Sequence, residues 1–200
     1  MAAPDVLLFD LGGVLVETSG VAELQRLAGV TDAAALRRRL VASPAFVRFE
    51  TGRCSAEDFA RDFLAEWGLG LAPEAFLQLF ASWVKAPAAD TLELLAGLRR
   101  RYTLACLSST NAVHWRRVLG ERGLRDALDR HFASHELGLL KPGAEIYARA
   151  AQELGCEPAA IVFFDDAPEN VAGARAAGME AHLVAGCSQL RPTLAGLGLA

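Results

Sequence analysis

Asp5 to Leu11 reads DVLLFDL, a short apolar run that reaches an acid, Asp10, just before Gly12-Gly13. An unbroken apolar run of this length closed by a glycine turn is the pattern of a buried strand. A strand without a polar face must be covered on both sides, so helices have to pack above and below it. Similar runs occur at Thr103–Leu107 (TLACL), Ile161–Phe164 (IVFF) and Ala181–Val184 (AHLV), with Phe132-Ala133-Ser134 as a shorter fifth. Between them lie helical patterns at Leu92–Arg101, Ala112–Arg122, Ala144–Leu154 and Glu169–Ala177. Strands alternating with helices pair in parallel through right-handed crossovers. The expected core is therefore a doubly wound, Rossmann-like α/β sheet.

The stretch from about Gly20 to Pro87 breaks that alternation and carries helical signals alone. Thr31-Asp32 opens the run Ala33–Val41. Ser55-Ala56-Glu57 opens Asp58–Trp67 as an N-cap with acids in the first turn. Pro73-Glu74 opens Ala75–Val84, with proline at a favoured first-turn position. This reads as a small all-helical cap inserted after the first strand, with hinges near Thr18-Ser19-Gly20 and Ala86-Pro87-Ala88. The expected division is a core of residues 1–17 and 89–200 and a cap of residues 18–88.

Composition narrows the function classes. A net charge of -4 lacks the basic excess of a nucleic-acid binder, and the runs Arg37-Arg38-Arg39 and Arg99-Arg100-Arg101 read as solvated helix faces. Charges interrupt every apolar run before it reaches membrane-spanning length. Cys54, Cys106, Cys156 and Cys187 show no CxxC spacing, so neither zinc nor a redox pair is indicated, and Cys106 reads as a small core residue. With no basic-then-apolar opening segment, a cytoplasmic setting is expected. No nucleic-acid or membrane partner is expected, and the chain would act as a monomer or homodimer.

In an open α/β sheet, ligands bind beyond the carboxyl ends of the strands, near the switch in strand order. The first strand presents Asp10 there, the second Ser108-Ser109-Thr110-Asn111, and the IVFF strand Asp165-Asp166; Lys141-Pro142 precedes a helix between the last two. Crowded carboxylates repel unless a cation neutralises them. A hard, oxygen-binding ion such as Mg²⁺ suits them, and lysine and hydroxyls suit an anionic substrate. A carboxylate attacking phosphorus gives an aspartyl-phosphate. Taken one at a time these residues have blander uses: Asp10 in a turn, Ser108 to Asn111 as a helix cap, Lys141 at the surface. Their order along the chain and shared placement at one sheet edge carry the functional reading.

These motifs resemble those of the haloacid dehalogenase-like hydrolases. FDLGGVLVET resembles the first motif, CLSSTN the second, ELGLLKPGAEIY the third and FFDDAPENVAGARAAG the fourth. With FETGRCSAEDF in the cap, the chain is most similar to the bacterial branch that includes glucose-1-phosphate phosphatase. The resemblance implies a Mg²⁺-dependent phosphatase acting on a small phosphorylated metabolite, such as a sugar phosphate. It implies Asp10 as nucleophile, Ser108 and Ser109 near the phosphoryl group, and Lys141 paired with Asp10 and substrate. Asp166 would be the main metal carboxylate, supported by Asp165, with the Gly12 carbonyl completing the protein ligands. Two alternatives stay open: a 2-haloacid dehalogenase using the same aspartate without metal, and a catalytically weak binding or regulatory protein on this scaffold.

One position departs from the family pattern. The acid two residues after the nucleophile, which assists proton transfer in most phosphatases of this group, is Gly12 here. The expectation is that the leaving oxygen departs with little protonation, favouring sugar 1-phosphates, acyl phosphates and aryl phosphates. Glu17, His114 and His135 are near in sequence without a strong case. In the cap, Phe46, Phe49, Arg48, Glu50, Arg53, Trp67, Trp83 and Lys85 are candidates to face the site, with the aromatics reading more naturally as cap core.

Overall fold

A computed structural model describes residues 4–87, 89–120 and 123–200. Five parallel strands, β1 (Val6–Phe9), β2 (Thr103–Ser108), β3 (Arg130–Ala133), β4 (Ile161–Asp165) and β5 (Glu180–Leu183), form one sheet in the order β3-β2-β1-β4-β5. The register aligns Phe9 with Cys106 on one side and with Phe164 on the other. The chain runs outward from β1 through β2 to β3, then returns to β4 on the opposite side. The strand-order switch therefore falls at β1, the strand that ends in Asp10.

Strand alternation sends neighbouring residues to opposite faces. Leu7, Phe9, Leu104, Cys106, Val162 and Phe164 share one buried cluster with Leu190 and Leu194. These last two belong to α12 (Cys187–Gly196). Val6, Leu8, Ala105, Leu107, Ile161 and Phe163 share the other with Ile146, Tyr147 and Ala150 of α10 (Ala144–Leu154) and Val171 and Ala174 of α11 (Pro168–Ala176). Both faces are covered, as the unbroken apolar strands require.

Between β1 and β2 stand α1 (Gly20–Ala28), α2 (Ala33–Ala42), α3 (Pro44–Glu50), α4 (Ala56–Trp67) and α5 (Pro73–Ala81), followed by α6 (Ala89–Leu98). The first five build an apolar cluster of their own around Phe49, Phe59, Phe63, Phe76, Phe80, Trp67 and Trp83. Asp32 caps α2 by accepting from the Ala34 and Ala35 amides, and Ser55 caps α4 by accepting from the Asp58 amide. The chain enters and leaves this insertion side by side. Ser19 N–H donates to the Trp83 carbonyl at 2.8 Å, and Lys85 N–H to the Glu17 carbonyl at 2.9 Å. Of the second expected hinge, Ala88 lies outside the described residues.

Two helices went unread in the insertion, α1 and α3. The expected helix from Ala112 is also broken: α7 (Ala112–Trp115) passes into a π turn at Arg116–Gly120, and Arg122 lies outside the described residues. The remaining short helices are α8 (Leu124–Ala127) and α9 (Ser134–Leu137). No described helix is long and apolar enough to cross a membrane.

Candidate active site

Asp10 leaves β1 with its amide donating to the Phe164 carbonyl of β4 at 2.8 Å, so its backbone is fixed to the neighbouring strand. The turn beyond it is tied by Gly13 N–H to the Val16 carbonyl and by Gly186 N–H to the Gly13 carbonyl. Gly13 sits at φ 81, and a Cβ there would lie 2.3 Å from Asp166 Oδ2. No other residue would let that carboxylate come so close.

Lys141 is the organising charge. Its Nζ donates to Asp165 Oδ2 at 2.6 Å and lies 2.9 Å from Asp10 Oδ1, with the lysine side chain almost wholly buried. Its amide donates to Ser109 Oγ, so the hydroxyl expected near substrate also positions the lysine loop. Asp165 is fully buried, and its other oxygen accepts from the Ala167 amide and from Asn170 Nδ2, each at 2.9 Å. Asp166 is the most open of the three acids. Oxygens of Asp10, Asp165 and Asp166 lie within 4.8 Å of one another.

Three carboxylates around one ammonium leave an excess of negative charge. Burial raises the Asp10 carboxyl to about 6, against the pull of Lys141 and with a further push from Asp165. Burial and Asp165 also raise Asp166. Burial works against charge on Lys141, but Asp10 and Asp165 outweigh it and hold the amine above its usual range. An oxygen-binding cation fits this arrangement: Asp10 and Asp166 retain open oxygens, whereas both Asp165 oxygens are engaged by protein donors.

Asp10 and Asp166, with Gly12, Ser108, Ser109 and Thr110, form one wall of a cavity of about 340 Å³. Thr18, Val21, Arg37, Leu40, Val41, Phe46 and Glu50 contribute the facing wall. Of the insertion side chains expected at the site, Phe46 and Glu50 line it. Phe49, Trp67 and Trp83 belong to the apolar cluster, as aromatic packing suggested. Arg48 pairs with Asp62, and Lys85 donates to the Ser82 carbonyl, both at the surface. Arg53 is exposed and does not line the cavity. Arg37, read as part of a solvated face, is exposed but stands at the cavity wall.

Glu50 ends α3 almost completely buried. Its Oε1 accepts from Asn111 Nδ2 at 2.9 Å, and its carbonyl accepts from Ser134 Oγ at 2.7 Å. Burial lifts its carboxyl to about 7; the Asn111 bond opposes this, Asp10 adds to it and Lys141 opposes it. His114 is neither a surface residue nor free for proton transfer. Its Nε2 is 2.8 Å from the Phe80 carbonyl and its Nδ1 faces Asn111 Nδ2, so the Nε2–H tautomer satisfies both contacts. Burial lowers its pKa to about 4. Glu17 is exposed and lines a different cavity, and His135 packs edge-on against Trp115 outside the site.

The family model of the haloacid dehalogenase-like hydrolases matches residues 4–178. The D-ribitol-5-phosphate phosphatase of Bacteroides thetaiotaomicron is 27% identical over 173 residues, covering 82% of this chain and 84% of that protein. A predicted HAD-like family hydrolase of Porphyromonas gingivalis superposes with a TM-score of 0.78 at 25% identity, covering 98% of each chain. A HAD family enzyme of Bacteroides thetaiotaomicron, solved with magnesium and inorganic phosphate, superposes with a TM-score of 0.76 at 22% identity over 90% of this chain and 94% of its own.

Proposed function

The chain belongs to the haloacid dehalogenase-like hydrolases, and on that premise we propose that it is a Mg²⁺-dependent phosphatase of small phosphorylated metabolites that works through an aspartyl-phosphate on Asp10. The observation that carries this reading is the bridge of Lys141 between Asp10 and Asp165, with the Asp166 carboxylate beside it at the strand-order switch. A lone nucleophile for carbon chemistry would not call for this density of negative charge. The phosphatase name of the Bacteroides relative and the magnesium and phosphate in the superposed structure support the same direction.

Asp10, Asp166 and the Gly12 carbonyl would hold the ion, with Asp165 acting through Lys141 and the turn at Ala167. When bound, magnesium would neutralise phosphoryl oxygens and hold them for in-line attack. Lys141 keeps the buried Asp10 carboxylate ionised and oriented, and Ser108 and the Lys141 ammonium would bind the transferring group. Asp10 then attacks phosphorus as the ester oxygen leaves, and water attacks the acyl phosphate to release Asp10 and inorganic phosphate. Residues 18–88 would act as the cap that shields this chemistry and selects the leaving group. The separate apolar cluster, the paired entry and exit segments and the cavity between insertion and sheet support that division.

The test is release of phosphate from p-nitrophenyl phosphate and a panel of phosphorylated metabolites, with and without Mg²⁺. Magnesium-dependent turnover is expected, lost on Asp10→Asn and shifted to higher Mg²⁺ demand by Asp166→Asn. EDTA-insensitive activity, or halide release from 2-haloacids without phosphate release, would overturn the reading.

A further inference from the structure

Resting on the phosphatase reading above, we propose that Glu50, on the insertion, donates the proton to the leaving oxygen and then activates water, the role that Gly12 cannot fill. Glu50 shares the cavity with Asp10, Gly12 and Ser108, and enters it from the opposite wall, where a leaving group must lie. Its Oε1 is held by Asn111 and its backbone by Ser134, both on the sheet side. No described residue donates to or accepts from Oε2. The side chain is thus fixed at one oxygen and free at the other, which is what a positioned acid requires.

Other groups on the cavity wall are less suited. Both ring nitrogens of His114 are engaged, Arg37 offers donors and no acceptor, and Asp166 stands with the rim carboxylates that would hold the ion. Glu169 also lines the wall, but from α11 on the rim side. The simpler explanation of Glu50 is a pin that docks α3 onto the sheet. A pin, however, needs only Oε1 and the backbone carbonyl, and glutamine would serve as well. Burial lifts this carboxyl to about 7, so both its forms are populated near neutral pH, as a group that first gives and then takes a proton requires.

In the first step a bond forms from Asp10 Oδ to phosphorus while the P–O bond to the leaving group breaks, and the Glu50 proton passes to that oxygen. In the second, the Glu50 carboxylate takes a proton from the attacking water, the P–O bond to Asp10 breaks, and Glu50 is protonated again. On this proposal the leaving oxygen departs protonated, in contrast to the expectation drawn from Gly12 alone.

Wild type, Glu50→Gln, Gly12→Asp/Glu50→Gln and Asp10→Asn are compared in Mg²⁺ on phosphate esters from alkyl to dinitrophenyl, with acid quenching to measure phosphoenzyme. Thermal melts establish that each variant is folded. Glu50→Gln should lower kcat on alkyl esters by about 10²–10⁴-fold, with a much smaller loss in the phosphorylation step for dinitrophenyl phosphate and with accumulated phosphoenzyme. Gly12→Asp should restore part of the alkyl activity; its Cβ would meet the Thr18 methyl at 3.2 Å, a contact that a small shift relieves. An equal loss in the phosphorylation step on every ester, no accumulation of phosphoenzyme, or a rise in KM alone, would overturn the assignment of Glu50 while Asp10→Asn remains inactive. If Asp10→Asn keeps wild-type turnover, or the wild type hydrolyses no ester, the phosphatase reading itself falls.

Discussion

Lys141 holds two carboxylates at the sheet rim, at 2.9 and 2.6 Å, while across the cavity Phe59 sits among five other rings, the nearest stacked at 4.3 Å. Charge organises one wall and aromatic packing the other. Removing the Lys141 ammonium would leave two buried carboxylates without their shared partner, because Asp10 and Asp165 are both tied to it. Apart from Phe46, the rings that pack the insertion do not line the cavity, so most residues on its inner wall can vary without dismantling it.

The largest effect should come from Lys141→Met. It removes the cation shared by Asp10 and Asp165 and should cost about 3–5 kcal/mol in stability, together with activity. Chemical denaturation and phosphate release read both, and a loss of activity without destabilisation would mean that the pair is not the rim's organiser. Phe59→Ala should cost a similar ~3–5 kcal/mol, through a cavity in the insertion. At low temperature, however, the folded fraction should keep its turnover of a small aryl phosphate, since no rim contact changes. Parallel loss of both would break the contrast between the walls.

A pH experiment gives a smaller, signed effect. The Glu50 carboxyl is raised from 4.5 to about 7, so the stability associated with it is complete below pH 4.5 and is lost as pH rises through about 7. Glu50→Gln should therefore gain stability relative to wild type on going from acid to pH 8, by on the order of 3 kcal/mol. His114 acts in the opposite sense: its contribution is present above pH 6.5 and lost as pH falls towards about 4. The difference between the two melting profiles isolates Glu50, and a difference independent of pH would contradict its buried, lifted state. The smallest effect is at Arg48. Its pair with Asp62 is largely solvent-exposed, so Arg48→Ala should cost under about 1 kcal/mol and leave kcat and KM unchanged.

The same contrast explains what could be read from the sequence. The rim was legible because an acid directly after an apolar run, as in IVFFDD, marks a strand end without reference to anything distant. Helix α10 was legible to its ends, since its apolar face repeats regularly and Gly155 closes it in the left-handed conformation. Helix α3 was not, although Ser43 as cap and Pro44 in the first turn were there to be seen; seven residues are too few for a clear period. That omission concealed the setting of Glu50, whose partner Asn111 is 61 residues away. Arg37 was similarly hidden, because three successive arginines read as a solvated face while only the fold shows which one meets the cavity. The π turn after Trp115 has no local signature comparable to a proline or glycine break.

The central claim is that Asp10 carries the phosphoryl group. Rapid acid quenching during turnover in Mg²⁺, followed by peptide mapping by mass spectrometry, tests it directly. The account predicts a phosphoryl adduct on the peptide containing Asp10 and none in Asp10→Asn, which should also have lost turnover. Sustained phosphate release from both proteins, with no adduct at Asp10 at any quench time, would contradict it.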